Sequence, residues 1–273
     1  MSLLTNPHAY RGRSRRPGYI GNKVGPIFTK DIVASMLLWL RSDLGLFQDS
    51  AKTTPVTADT DPVGAWADQS GNGKDALQAV AANRPLWRTG ILNYHPALRF
   101  DGTNDRLVTA SDIGLTGSDV PFTFFGVAAF ATTGSDRCIA SACRSSQNNP
   151  VHTMYEHNVA LERSYRRDDV GGASTANTPF AQTTDYQLYE QLFAGTKTTM
   201  MRNGKCAITD DAHNVGNITF DEFSIGTFRG TSTPALFLLG DILEIIVYAG
   251  VLTATNRIKV EDYLFSRYKL LRD

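Results

Sequence analysis

The residues of this 273-residue chain that could do chemistry are few and mostly far apart in sequence. The five histidines, His8, His95, His152, His157 and His213, are scattered, and His152 and His157, five apart, would not share a strand face. No zinc site is expected from them. The cysteines, Cys138, Cys143 and Cys206, have no metal-ligand spacing. A Cys138–Cys143 bridge across a turn is conceivable, but three free buried thiols are the expectation. Asp101, Asn104 and Asp105 could offer hard oxygen ligands to a calcium ion. In a strand-joining loop such residues are first of all turn formers, so no cofactor is expected. Trp66, Trp87 and Tyr94 lie in loop-rich stretches where a ring could stack on a sugar face; the competing reading is that they cap the core. Glu244 is a lone glutamate in a strongly apolar strand, and a buried carboxylate needs partners, expected to be hydrogen bonds to a loop.

The formal charge is zero, with 27 basic and 27 acidic residues, but it is unevenly placed. Residues 1–30 carry Arg11, Arg13, Arg15, Arg16, Lys23 and Lys30 and no acid, so they hold +6 and the remainder holds −6. Pro7, Pro17 and Pro26 with Gly12, Gly18, Gly21 and Gly25 stop any helix or long strand there. The segment reads as an extended basic arm without a core, in which Tyr10, Tyr19, Ile20, Ile27 and Phe28 are apolar anchors interspersed with the charges Arg11, Arg13, Arg15, Arg16, Lys23 and Lys30. Those anchors favour docking on a protein over binding nucleic acid phosphates. The first 30 residues lack the apolar core of a secretory signal, and no apolar run is long enough to span a membrane.

From residue 31 onward the pattern is of short apolar runs broken by turn residues. Phe122 to Phe130, Tyr186 to Phe193, Phe220 to Ile225 and Asp241 to Tyr248 read as strands. Asn203-Gly204 between two such runs is a hairpin signal. In the last strand Ile242, Ile246 and Tyr248 should share one face, and Leu243, Ile245 and Val247 the other. A single helix is expected at the C-terminus, capped by Thr253, with Val260, Tyr263, Leu264 and Tyr268 on its apolar side. Many short strands and one amphipathic helix predict an all-β antiparallel sandwich or barrel.

Four pieces in order then resemble the concanavalin A-like lectin/glucanase (laminin G-like) jelly roll. They are Leu38-Trp-Leu40 with Trp66-Ala-Asp-Gln-Ser-Gly-Asn-Gly73; Arg84-Pro85 with Pro96-Ala-Leu-Arg-Phe-Asp-Gly-Thr-Asn-Asp105; Arg202-Asn-Gly204 with Ser224-Ile-Gly226; and Gly240-Asp-Ile-Leu-Glu-Ile-Ile-Val-Tyr248 with Leu252-Thr253 and the closing helix. The variant is similar to those of bacteriophage structural proteins. Glycanases of this fold carry Glu-x-Asp-x-x-Glu on one strand, a pattern absent here: Glu156 and Glu162 are split by a turn-like stretch, and Asp221 and Glu222 point to opposite faces. Two stretches could line a variable binding surface, Gln147 to Asp169, rich in His, Tyr and Arg, or the Gly/Ser/Thr-rich Gly171 to Thr178.

The resemblance thus implies a non-enzymatic virion structural protein, a capsid decoration or tail-associated display and adhesion module. It would consist of a 1–30 arm and a 31–273 jelly roll. Its expected partners are other virion proteins, in capsid or tail, reached through the arm, and host-surface glycans; neither nucleic acid nor a membrane is expected. It would be made in the host cytoplasm and sit in the virion in many copies or as a homo-oligomer. The alternative is a free carbohydrate-binding protein or a glycanase.

Overall fold

The computed structural model describes residues 34–147, 149–229 and 234–273. Two antiparallel sheets face each other. The first runs in the order Lys205–Ala212, Lys197–Arg202, Gln187–Phe193, Phe122–Phe130, Leu239–Ala249, His95–Asp101 and Leu86–Leu92, with Met36–Arg41 also paired to Leu239–Ala249. The second is built of shorter strands, among them Ala65–Trp66, Leu107–Thr109, Glu222–Ile225, Ala140–Cys143, Val151–Thr153 and Leu161–Arg167. Between the sheets lies one apolar core, with Leu98, Phe124, Ile245 and Val247 from the first sheet meeting Leu107, Ala140, Phe223 and Ile225 from the second. Alternation along each strand supplies this inner face.

Phe122–Phe130 is buried at every position because the helix covers its outer side and the second sheet its inner side. Its run of aromatic and small apolar residues is what a doubly covered strand requires. Gly226, at φ +77°, leaves the strand Glu222–Ile225 with the Phe100 ring where a Cβ would stand, 2.4 Å away, so only glycine fits. Asn203 and Gly204 both take positive φ and close the hairpin read from the sequence.

The helix Ala254–Tyr268 begins at Thr253, whose hydroxyl accepts from the Asn256 N–H at 3.3 Å. Val260, Tyr263, Leu264 and Tyr268 are buried, as their spacing requires, together with Glu261 and Phe265. They pack on Phe125, Val127, Leu188, Leu243, Ile246 and Tyr248 of the first sheet's outer face. Arg257 and Arg267 fold back onto the protein: Arg257 pairs with Glu261, and Arg267 with Asp43 and Glu244.

The last strand corrects the expected faces. A bulge between Ile242 and Glu244 adds one residue, so Ile242 shares the inner core with Ile245 and Val247, while Leu243 joins Ile246 and Tyr248 under the helix. The bulge also turns Glu244 outward beneath the helix. Its partners are a strand and a helix, not a loop: Trp39 Nε1 donates at 2.6 Å, Tyr263 Oη at 2.9 Å and Tyr268 Oη at 2.7 Å.

The cysteines are all free, but only Cys138 and Cys143 are buried; Cys206 is exposed near the hairpin tip, contrary to expectation. Under native conditions one maleimide adduct per chain is therefore expected by mass spectrometry, on Cys206, and three after denaturation. Rapid native labelling of Cys138 or Cys143 would contradict the packing.

Candidate functional site

One row of side chains crosses the outer face of the first sheet beyond the helix. Asp241 stands directly opposite Arg99 on one neighbour and opposite Ala129 on the other. The pairing of Gln187 with Ala128 carries the row on to Tyr186. Because Ala129 has only a methyl group, the Tyr186 phenol reaches across it and donates to Asp241 Oδ2 at 2.5 Å. From the other side Arg99 binds the same carboxylate with two parallel bonds, Nε to Oδ1 and Nη2 to Oδ2, both at 2.7 Å. Such fork geometry fixes both groups.

Charge is balanced within the row. The hydrogen bond to Asp241 holds the Arg99 pKa above its ordinary value, so the guanidinium stays charged. Burial and then the Asp241 bond push the Tyr186 phenol up, so it stays protonated. Around this row lies a cleft of about 220 Å³, floored by Phe100, Phe130, Leu239 and Gly240 and rimmed by Ala131 and the exposed Thr184. Asp241 is buried, whereas the Arg99 side chain is 42% exposed. The combination of an aromatic ring, a fixed carboxylate and a half-exposed guanidinium over an apolar floor can bind a polyhydroxylated ring.

Sequence reading did not select Arg99, Asp241 or Tyr186. The available signal was the same one that drew notice to Glu244: a single charge in an apolar strand. Asp241 and Arg99 are opposite charges on two such strands, but only the register makes them neighbours.

The residues singled out from sequence are dispersed. Trp66 is fully buried and donates Nε1 to the Arg41 carbonyl at 2.8 Å, so no sugar can reach its ring. Trp87 packs on the inner core and donates to the Ser42 carbonyl at 2.8 Å. Both indoles cap the core. Tyr94 is 94% exposed, at φ 65° in the turn joining Leu86–Leu92 to His95–Asp101. At about 3.4 Å per residue it stands roughly 17 Å along the strand from Arg99, outside the cleft.

Asp101 and Asp105 spend carboxylate oxygens on the turn: Asp101 Oδ1 accepts from the N–H of Thr103 and Asn104, and Asp105 Oδ2 from that of Asp101. Burial and the neighbouring Asp101 charge push Asp105 up to about 7. Among the described residues no three His, Cys, Asp or Glu side chains gather as a metal centre. Tyr10, Arg11, Arg13, Arg15, Arg16, Tyr19, Ile20, Ile27 and Phe28 lie outside the described residues.

The stretch Gln147 to Asp169, one of the two candidate binding surfaces, instead turns much of its polarity inward. Glu162, Ser164 and Arg166 alternate into the sandwich, and His152 and His157 are buried beside them. Glu162 accepts from Arg202 at 2.6 Å and from the Tyr155 phenol at 3.1 Å, while Glu156 pairs with Arg163. His152 and His213, distant in sequence, have ring centroids 5.5 Å apart. Burial lowers the pKa of both, and the buried Arg166 charge adds to it.

Comparison with known proteins shows a fold. No family model matches the sequence, and no curated protein matches it. Among solved structures, the binding domain of Paraclostridial Mosquitocidal Protein 1 aligns with a TM-score of 0.59 at 10% identity, covering 86% of this chain and 53% of that one. The botulinum neurotoxin serotype D ligand binding domain in complex with N-acetylneuraminic acid aligns at 0.57 with 11% identity, covering 87% and 53%. Trypanosoma rangeli sialidase in complex with sialic acid aligns at 0.55 with 12% identity, covering 86% and 33%. The chain spans about half the length of the toxin domains and a third of the sialidase. What is shared is a lectin-like, jelly-roll β-sandwich.

Proposed function

We propose that this chain is a non-catalytic display module of a virion, docked by residues 1–30, whose Arg99–Asp241–Tyr186 cleft holds the terminal sugar of a host-surface glycan. The observation that carries this reading is the cross-strand row itself: an aromatic ring and a half-exposed guanidinium held in place by one buried carboxylate. The lectin-like fold supports it as the kind of scaffold on which solved neighbours are bound to sialic acid. Glu156, Glu162 and Glu244 are each held by arginine or tyrosine, which suits structural rather than hydrolytic roles. The arm, its charge and the phage-like sequence motifs support the virion placement.

On a glycan array the full chain is expected to bind a defined set of terminal sugars, and Thr184→Trp, which blocks the cleft mouth, should remove that binding. Deleting residues 1–30 should leave array binding intact while abolishing co-sedimentation with the virion assembly. Hydrolysis of the arrayed glycans, or binding that ignores Thr184→Trp, would overturn the reading.

A further inference from the structure

We infer that the sugar taken by this cleft is uncharged, a neutral hexose with free hydroxyls rather than a carboxylate-bearing sugar such as sialic acid; this rests on the cleft being the glycan site. A site built for an acidic sugar needs a cation with charge to spare. Here the cation is already matched, because Arg99 gives Nε and Nη2 to both oxygens of Asp241. Tyr186 adds a third bond to that carboxylate and no charge. An incoming carboxylate would therefore meet a neutral pair and, behind the guanidinium, the fixed negative Asp241.

The rest of the lining offers an acidic sugar nothing more. Phe100, Ala129, Phe130, Ala131, Leu239 and Gly240 are uncharged, and Thr184 adds only a hydroxyl. Residues 31–273 also hold six more acids than bases, so the body as a whole repels anions. Neutral hydroxyls fit the groups that remain. Arg99 Nη1, which takes no part in the two bonds to Asp241, donates to them, and the exposed Thr184 hydroxyl both donates and accepts. At about 220 Å³ the cleft falls below the range of about 300–1,000 Å³ usual for drug-sized ligands, and so suits one terminal ring rather than a chain.

The test titrates the full chain with the methyl glycosides of glucose, galactose and mannose and, separately, with N-acetylneuraminic acid, by ligand-observed NMR at low and high salt. At least one neutral glycoside is expected to bind at least tenfold tighter than the acid, with an affinity that changes less than about twofold between 20 and 500 mM NaCl. Thr184→Lys adds a cation at the exposed rim without touching the buried row. It is expected to shift selectivity toward N-acetylneuraminic acid, raising its affinity relative to that of the neutral glycosides about fivefold. Tighter binding of N-acetylneuraminic acid by the unaltered chain, weakened by salt and by Thr184→Trp, would overturn neutrality while keeping the cleft as the site. Absence of any response to Thr184→Trp would overturn both.

Discussion

Replacing Glu244 by alanine is expected to remove about 3–5 kcal/mol of stability, enough to lower the melting temperature by roughly 10 °C. The reason is the number of donors that converge on one carboxylate. Trp39 Nε1, Tyr263 Oη and Tyr268 Oη all donate to it, and Arg267 Nε lies 3.4 Å away. Burial pushes the Glu244 pKa up, and the bonds from Tyr268 and Trp39 with the charges of Arg267 and Arg41 pull it back. Removing the acceptor takes away the carboxylate that the buried Tyr263 and Tyr268 hydroxyls and the half-buried Trp39 indole share, while Arg267 keeps its pair with Asp43. Glutamine keeps an oxygen acceptor and the shape, so Glu244→Gln should cost only about 1–2 kcal/mol. Urea unfolding followed by far-UV circular dichroism measures both. Equal, small losses for the two variants would show that the clasp contributes little to holding the helix.

His213→Gln is expected to have an effect on stability that depends on pH, with a sign set by burial. His213 hydrogen-bonds to Ser164 and Ser174, each at 3.2 Å, and Arg166 donates to its carbonyl at 2.6 Å. Burial and then the Arg166 charge bring its pKa down to about 3 in the folded chain, against about 6.5 unfolded. The unfolded chain thus binds the extra proton, so this contribution is complete above pH 6.5 and is lost as pH falls toward 3. At pH 5 the loss is about 2 kcal/mol.

Buried carboxylates act in the opposite direction. Burial raises Glu156 and Glu190 to about 7, so their contribution is present below about pH 4.5 and is lost as pH rises toward 7. The whole-protein curve mixes the two, and the difference between variants separates them. At pH 7.5 His213→Gln should be less stable than the parent by about 1–2 kcal/mol, the value of its hydrogen bonds. At pH 5 that gap should close or reverse. A gap unchanged between the two pH values would mean that His213 titrates normally.

Much of the fold was legible because it rests on local regularities. The run Phe122 to Phe130 read as a strand, Asn203-Gly204 as a tight turn, and Thr253 ahead of a 3.6-residue repeat as the start of a helix, and each is found. Errors arose where one residue's displacement matters. The bulge at Leu243 shifted every later side chain of the last strand to the other face, and periodicity carries no trace of a bulge. For the tryptophans the sequence left sugar stacking and core capping both open, because a loop position does not reveal whether the sheets close over it, and the burial of Trp66 fits capping.

The candidate cleft was less legible than the fold. Tyr186, Ala129, Asp241 and Arg99 come from four strands that are far apart in the chain, and only register sets them in a row. His152 and His213 are likewise 61 positions apart yet share the interior. By itself the sequence determined the class of the fold, the capped helix, and the uneven charge, +6 in residues 1–30 and −6 in the remainder, all properties of composition and short-range spacing. The tertiary structure alone decided which polar groups meet, which are buried, and which face a cleft. Those outcomes depend on pairing between distant strands, where a shift of one residue changes every neighbour.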